Sequence, residues 1–200
     1  MGTDTNSMIE DILSYGYPIS PPILSAMRSV PRESFAHTNP FANSASRIDC
    51  EQTISQPFIV AYMIEILNVQ PTHRVLEIGT GSGYSASVLA QCVSEVYSVE
   101  VIETLAKKST KLCKELGYTN LHIHHKDGRQ GWNEHAPYDR IMITAASDSI
   151  PHDLIESLKT GGELLLPLNT DKGTILTKML KTETGLKRTS YIEVMFVPLV

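Results

Sequence analysis

Val75-Leu76-Glu77-Ile78-Gly79-Thr80-Gly81-Ser82-Gly83-Tyr84 is the stretch that decides how this chain folds. Four residues of strand character run into three alternate glycines, and Tyr84 to Ala90 then has the composition of a helix. Glycine has no Cβ, so such a loop turns sharply and lets a ligand lie against the main chain, while the helix N-terminus offers free N–H groups. A plain tight turn is the competing reading, but it has no need of three alternate glycines. A dinucleotide-binding turn would carry glycine or alanine three positions after Gly81, where Tyr84 stands. A phosphate-binding loop would need Gly-Lys-Ser/Thr, which is absent. What fits is a nucleoside without a phosphate tail.

Working outward, strand-like runs at Arg74 to Ile78, Glu95 to Val99, Leu121 to His125, Arg140 to Thr144 and Glu163 to Leu166 alternate with helical or comparable spans. Short apolar strands alternating with helices imply a parallel sheet covered on both faces, an α/β fold. Thr174 to Leu180 and Ser190 to Val197 flank Glu183-Thr184-Gly185 and read as an antiparallel hairpin closing the sheet edge. Upstream, Met8 to Tyr15 and Pro21 to Met27 are short helical patterns, and His37 to Ser46 is a Ser/Asn/Pro-rich loop. Ser55 reads as the cap of a helix with apolar Ile59, Val60, Met63, Ile64 and Leu67 on one side.

Ligands in open α/β sheets bind at the carboxyl ends of the strands. Glu100 ends the second strand of this pattern, where a carboxylate accepts from both ribose hydroxyls. Asp127-Gly128 ends the third, within reach of an adenine amino group.

The 200 residues, 42% of them hydrophobic, favour one domain over 1–200, with 1–52 as a helical and loop extension that forms part of the substrate wall. A net charge of -5 with 17 basic residues spread along the chain argues against nucleic acid as a partner. No apolar run approaches a membrane span, and Met1-Gly2-Thr3-Asp4-Thr5-Asn6 lacks a signal-peptide core, so a cytoplasmic protein is expected, and with no exposed apolar stripe standing out, a monomer. Cys50, Cys92 and Cys113 form no CxxC pair and read as free thiols. His122, His124 and His125 have no acid or cysteine at ligand spacing, so no metal is expected. Trp132 reads as a core aromatic beside the pocket.

Taken together, these residues resemble the protein-L-isoaspartate (D-aspartate) O-methyltransferase family. The likeness runs over roughly residues 28–200, and its most specific piece is Gln52-Thr53-Ile54-Ser55-Gln56-Pro57. Supporting pieces are Val30-Pro31-Arg32, the glycine-loop stretch, Asp127-Gly128 with Gly131-Trp132, Ala136-Pro137-Tyr138-Asp139, Thr144-Ala145-Ala146 and Phe196-Val197-Pro198-Leu199.

The resemblance implies a Rossmann-like S-adenosylmethionine-dependent fold. It also implies transfer of the methyl group to the free α-carboxylate of an isoaspartyl or D-aspartyl residue in a damaged protein or peptide. The ester is a better leaving group, so the neighbouring amide nitrogen closes a succinimide that reopens partly as normal aspartate. By position-by-position match, Ser55 is the active-site serine. Thr53, Ile54, Ser55, Glu77, Gly79, Thr80, Gly81, Ser82, Gly83 and Thr144 surround S-adenosyl-L-methionine, with Glu100 at the ribose and Asp127 and Gly128 at the adenine end.

Departures concentrate on the acceptor side. Asp49, Cys50 and Glu51 replace glycines that permit positive φ, and two carboxylates there are expected to repel an anionic acceptor. Asn43 replaces an aspartate, and Thr174 a glutamine. Two alternatives follow: a divergent carboxyl methyltransferase acting on a specific partner peptide, and a non-catalytic module that binds altered aspartates or the cofactor.

Overall fold

The computed structural model describes residues 3–199; Met1 and Gly2, which belong to the reading of the N-terminus, and Val200 lie outside them. Helices α1 (Thr5–Ser14) and α2 (Pro21–Ser29) lead to a two-stranded hairpin, β1 (Ser46–Arg47) and β2 (Thr53–Ile54). Helix α3 (Pro57–Ile66) follows, then β3 (Arg74–Ile78), α4 (Tyr84–Ala90), β4 (Glu95–Glu100), α5 (Glu103–Glu115), β5 (Leu121–His125) and β6 (Tyr138–Ile143). The chain continues through α6 (His152–Glu156), β7 (Leu158–Thr170), β8 (Gly173–Thr182) and β9 (Gly185–Glu193).

The main sheet has seven strands in the order β5-β4-β3-β6-β7-β8-β9. The pairings from β5 to β7 are parallel, and β7-β8 and β8-β9 are antiparallel. Strand β3 sits inside the parallel half and is buried on both faces, which is why Val75, Leu76 and Ile78 form a nearly unbroken apolar run. Order reverses between β3 and β6, so the crevice at that switch point opens beside the glycine turn.

The two faces are covered unequally. Val75, Val96, Met142 and Leu165 pack against helices α1 to α5, whereas Leu76, Ile78, Ile141 and Leu164 pack against α6. On the second face the rest of the cover is a loop carrying two short 3-10 turns, Gly128–Gln130 and Asn133–His135. The C-terminal antiparallel hairpin forms, but its second strand is Gly185–Glu193 and not Ser190 to Val197, starting directly at the turn, and β7 runs well beyond Glu163 to Leu166. Its added residues include the buried Leu158, Pro167 and Leu168, and pairing with β8 carries the strand past them through the polar Asn169 and Thr170, while Leu158 pairs with Tyr138 of β6. Among the described residues no helix is long and apolar enough to cross a membrane.

Candidate active site

The glycine turn fits a ligand laid against its backbone. Gly79 holds φ +96°, and a Cβ there would lie 2.5 Å from Thr144 Oγ1, which itself donates to the carbonyls of Ile78 (3.0 Å) and Gly79 (2.6 Å). Thr144, at the end of β6, therefore props the turn and leaves no room for a side chain. Gly83, also left-handed at φ +89°, caps α4 and points that helix's first N–H groups back at the turn. Glu100 ends β4 only 5% exposed, its carboxylate accepting from Gly81 N (2.8 Å) and Ile102 N (2.9 Å). Each oxygen keeps lone pairs for a diol, as a ribose requires.

Beneath the turn lies a buried polar chain. Thr80 Oγ1 is 2.6 Å from Ser98 Oγ, which donates to Glu77 Oε2 at 2.6 Å. Glu77 is fully buried with Oε1 unpartnered among the described residues. Burial pushes its carboxyl up to about 7, opposed by the Ser98 hydrogen bond and helped by the nearby charge of Glu100.

The β1-β2 hairpin brings the Thr-Ile-Ser segment across this turn. Its tip reverses through Cys50 (φ +58°) and Glu51 (φ +59°), the left-handed conformation that glycine adopts at least cost. The tip thus adopts the positive φ expected of glycine while bearing side chains. The expected repulsion is half cancelled: Asp49 Oδ2 is 2.6 Å from Lys108 Nζ on α5, a hydrogen-bonded ion pair that lowers the Asp49 carboxyl and raises the Lys108 ammonium.

Ser55 is not the cap of α3. The N-cap is Gln56, Pro57 takes the first helical position, and the orphan Phe58 N–H donates to Asn43 Oδ1 at 2.9 Å. Asn43 performs from 15 residues upstream what Ser55 was expected to do, with its Nδ2 buried and unpartnered. Ser55 is held instead by its carbonyl, which accepts from Arg32 Nη2 at 2.8 Å. Among the described residues no group claims the Ser55 hydroxyl.

The resulting cleft holds about 800 Å³ of open space. Of the residues assigned from sequence, Thr53, Ile54, Ser55, Gly79, Thr80, Gly81, Ser82, Glu100, Gly128 and Thr144 line it. Three do not. Glu77 lies under the turn, Gly83 is turned to α5, where a Cβ would come 3.2 Å from Cys113 Sγ, and the Asp127 carboxylate is gripped by Arg129 with Nη2 at 2.7 Å. Of the extension 1–52, Gln52 alone lines the cleft among the described residues; Arg32 and Asn43 act from behind it.

Sequence reasoning missed Tyr84, Ser85, Ile102 and the closing Val197-Pro198-Leu199 as cleft walls. That tail is stitched to the loop after β6, Ala146 N donating to Val197 O (2.8 Å) and Leu199 N to Ala146 O (2.7 Å). Its only signal was the family-like Phe-Val-Pro-Leu ending. Trp132 is absent from the cleft, stacking on His124 with centroids 4.8 Å apart on the far side of the sheet. His122 Nε2 meets Glu95 Oε2 at 2.7 Å, an acid on the neighbouring strand that linear spacing conceals.

The turn Gly79 to Gly83 offers no cation to a phosphate, and Glu100, the one acidic side chain on the cleft wall among the described residues, suits a ligand that is itself positive. An α/β sheet with such a site is that of the S-adenosylmethionine-dependent methyltransferases. Within that class, the chain belongs to the family described as Protein-L-isoaspartate(D-aspartate) O-methyltransferase, which matches it over residues 3–200.

Relatives named protein-L-isoaspartate O-methyltransferase agree. One from Picosynechococcus is 44% identical over 183 residues, covering 90% of this chain and 82% of its own. One from Vibrio atlanticus is 47% identical over 183 residues, covering 89% and 87%. A solved structure of the same name superposes with a TM-score of 0.88 at 27% identity, covering 98% of this chain and 65% of that one. A Plasmodium falciparum structure in complex with S-adenosyl-L-homocysteine matches in fold, with TM-score 0.88 at 24% identity, covering 100% of this chain and 99% of its own.

Proposed function

We propose that this chain methylates the free α-carboxylate of isoaspartyl or D-aspartyl residues in damaged proteins and peptides, with Ser55 aiming the acceptor. The carrying observation is that one continuous cleft is walled by the glycine turn and Glu100 on one side, Thr53 to Ser55 on another, and Val197 to Leu199 across the top. When bound, S-adenosylmethionine supplies an electrophilic methyl group on a sulfonium sulfur. Glu100 would hold its ribose, the Gly79 to Ser82 turn its amino-acid portion, and Gly128 would leave space at the adenine end.

The acceptor carboxylate is ionised at neutral pH, so the chain has no proton to remove and needs no general base. Its work is positional. A hydroxyl donor on Ser55 fixes one carboxylate oxygen, and the apolar wall of Ile54, Val60 and Pro198 excludes water. Such alignment and desolvation supply on the order of 7 kcal/mol or more of barrier lowering. The free thiols of Cys50, Cys92 and Cys113 suit the reducing cytoplasm.

The test is radiolabelled methyl transfer to an isoaspartyl peptide beside its normal aspartyl twin, with wild type and Ser55→Ala. The isoaspartyl peptide alone should be labelled. The variant should lose turnover by tenfold or so while binding S-adenosylhomocysteine within a few-fold and melting as wild type does. Equal labelling of both peptides would favour the divergent carboxyl methyltransferase, and binding without any labelling the non-catalytic module.

A further inference from the structure

An anionic acceptor has to enter a cleft whose walls, among the described residues, carry no lysine, arginine or histidine and whose one acidic side chain is Glu100. Some positive charge of the protein must offset this, and a candidate sits directly behind Ser55. Arg32 is 2% exposed, and among the described residues no carboxylate pairs with it. Its Nε donates to Pro40 O and its Nη2 to Ser55 O, both at 2.8 Å. Its guanidinium lies 4.4 Å from the centroid of the Tyr84 ring, and Tyr84 is itself a cleft wall. The remaining nitrogen, Nη1, is buried with no partner, as is the Tyr84 hydroxyl.

A buried cation with neutral partners alone is costly, and the usual remedy is a paired acid. Holding the loop before β1 to the segment after β2 would need only a neutral donor pair. The charge therefore calls for its own reason.

We propose that Arg32 is a positioning residue that sets the charge preference of the acceptor site: it pins Ser55 through the carbonyl, and its unpaired positive charge makes a carboxylate the favoured occupant. The inference rests on the acceptor lying at Ser55, as proposed above. The field of a buried cation whose Nη2 lies 2.8 Å from the Ser55 carbonyl, in an effective dielectric near 20, corresponds to about tenfold or more in affinity for a carboxylate held by Ser55. It acts on the bound carboxylate more than on the transition state, where the oxygen is losing its charge to the incoming methyl group. It therefore lowers KM and leaves kcat unchanged or slightly reduced.

The experiment measures KM and kcat for an isoaspartyl peptide, and the inhibition constant of its isoasparaginyl twin, whose α-carboxamide is neutral. Wild type, Arg32→Gln, Arg32→Lys and Ser55→Ala are compared. Wild type should prefer the carboxylate to the amide by about tenfold or more, and keep that preference in 0.5 M salt because the charge is buried. Arg32→Gln should raise KM by about as much, change kcat less than KM, and leave the amide peptide's inhibition constant and the S-adenosylhomocysteine affinity within a few-fold. Arg32→Lys should restore the preference.

Equal weakening of both peptides by Arg32→Gln and Arg32→Lys would reduce Arg32 to a structural tie and overturn the inference. So would a wild type indifferent to the carboxylate, a result that stands even if Arg32→Gln fails to fold. If Ser55→Ala affects neither turnover nor peptide binding, the acceptor placement falls and this inference with it. If Ser55→Ala lowers turnover while the Arg32 variants ignore the carboxylate, this inference alone falls.

Discussion

Glu77→Gln tests the electrostatics under the glycine turn. Burial raises the Glu77 carboxyl from the ordinary 4.5 to about 7, so the folded protein holds this proton over a pH window in which the unfolded chain has released it. Folding stability contributed by this group is therefore fully present at low pH, falls as pH rises through about 4.5 to about 7, and is level beyond. Each tenfold difference in proton affinity is worth about 1.4 kcal/mol, which bounds the whole change at about 3 kcal/mol. Glutamine keeps the shape and the bond from Ser98 but cannot ionise, so it removes the slope.

Melting curves of ligand-free wild type and Glu77→Gln across pH 5 to 8 provide the assay. The two should melt close together at pH 5, and the variant should pull ahead towards pH 8 by up to roughly 10 °C for a chain of this length. A constant offset between the two proteins at both ends of the range would refute the reasoning and mean that Glu77 stays ionised throughout.

Glu100→Gln should weaken S-adenosylhomocysteine by about tenfold or more, because it replaces charge-assisted hydrogen bonds to a diol and loosens Gly81 and Ile102 as well. Calorimetric titration giving an unchanged dissociation constant would remove Glu100 from the site. Replacing Cys50 and Glu51 together by glycine should raise stability by about 1 kcal/mol or so through release of two left-handed side-chain-bearing residues. A lower melting temperature would mean that the tip draws more from those side chains than it loses to strain.

The parallel half of the sheet was legible because a buried strand writes itself as an apolar run, as β3 does, and a half-exposed edge strand as an alternation, as in Leu121-His122-Ile123-His124 of β5; both match the sequence reading end to end. The glycine turn and Glu100 were legible because backbone conformation and strand-end chemistry are local. What escaped depends on distance along the chain. Asn43 caps α3 from 15 residues away, so the nearer Ser55 took the credit. The Asp49 to Lys108 pair spans 59 residues, and without it the acidic tip reads as pure repulsion. Arg32 looks like a surface arginine in a short motif until the fold buries it. Val197 to Leu199 are apolar residues whose place on the cleft comes from a bridge to Ala146, which no periodicity encodes.

The β1-β2 hairpin pairs only two residues on each strand, and its tip from Asp49 to Glu51 is exposed, held by two backbone hydrogen bonds between Ile48 and Gln52 and between Gln52 and Asp49 and by one solvent-facing ion pair. By the measure of local opening free energy it belongs to the weakest cooperative unit of the molecule, whereas Ile54 and Ser55 at its base stay with the core through burial and Arg32. Amide protons from Ile48 to Gln52 should therefore exchange by local opening, orders of magnitude faster than those of β3, β4 and β6. Gln52, the residue of this stretch that lines the cleft, is therefore expected to open with the tip while the sheet beneath it stays closed.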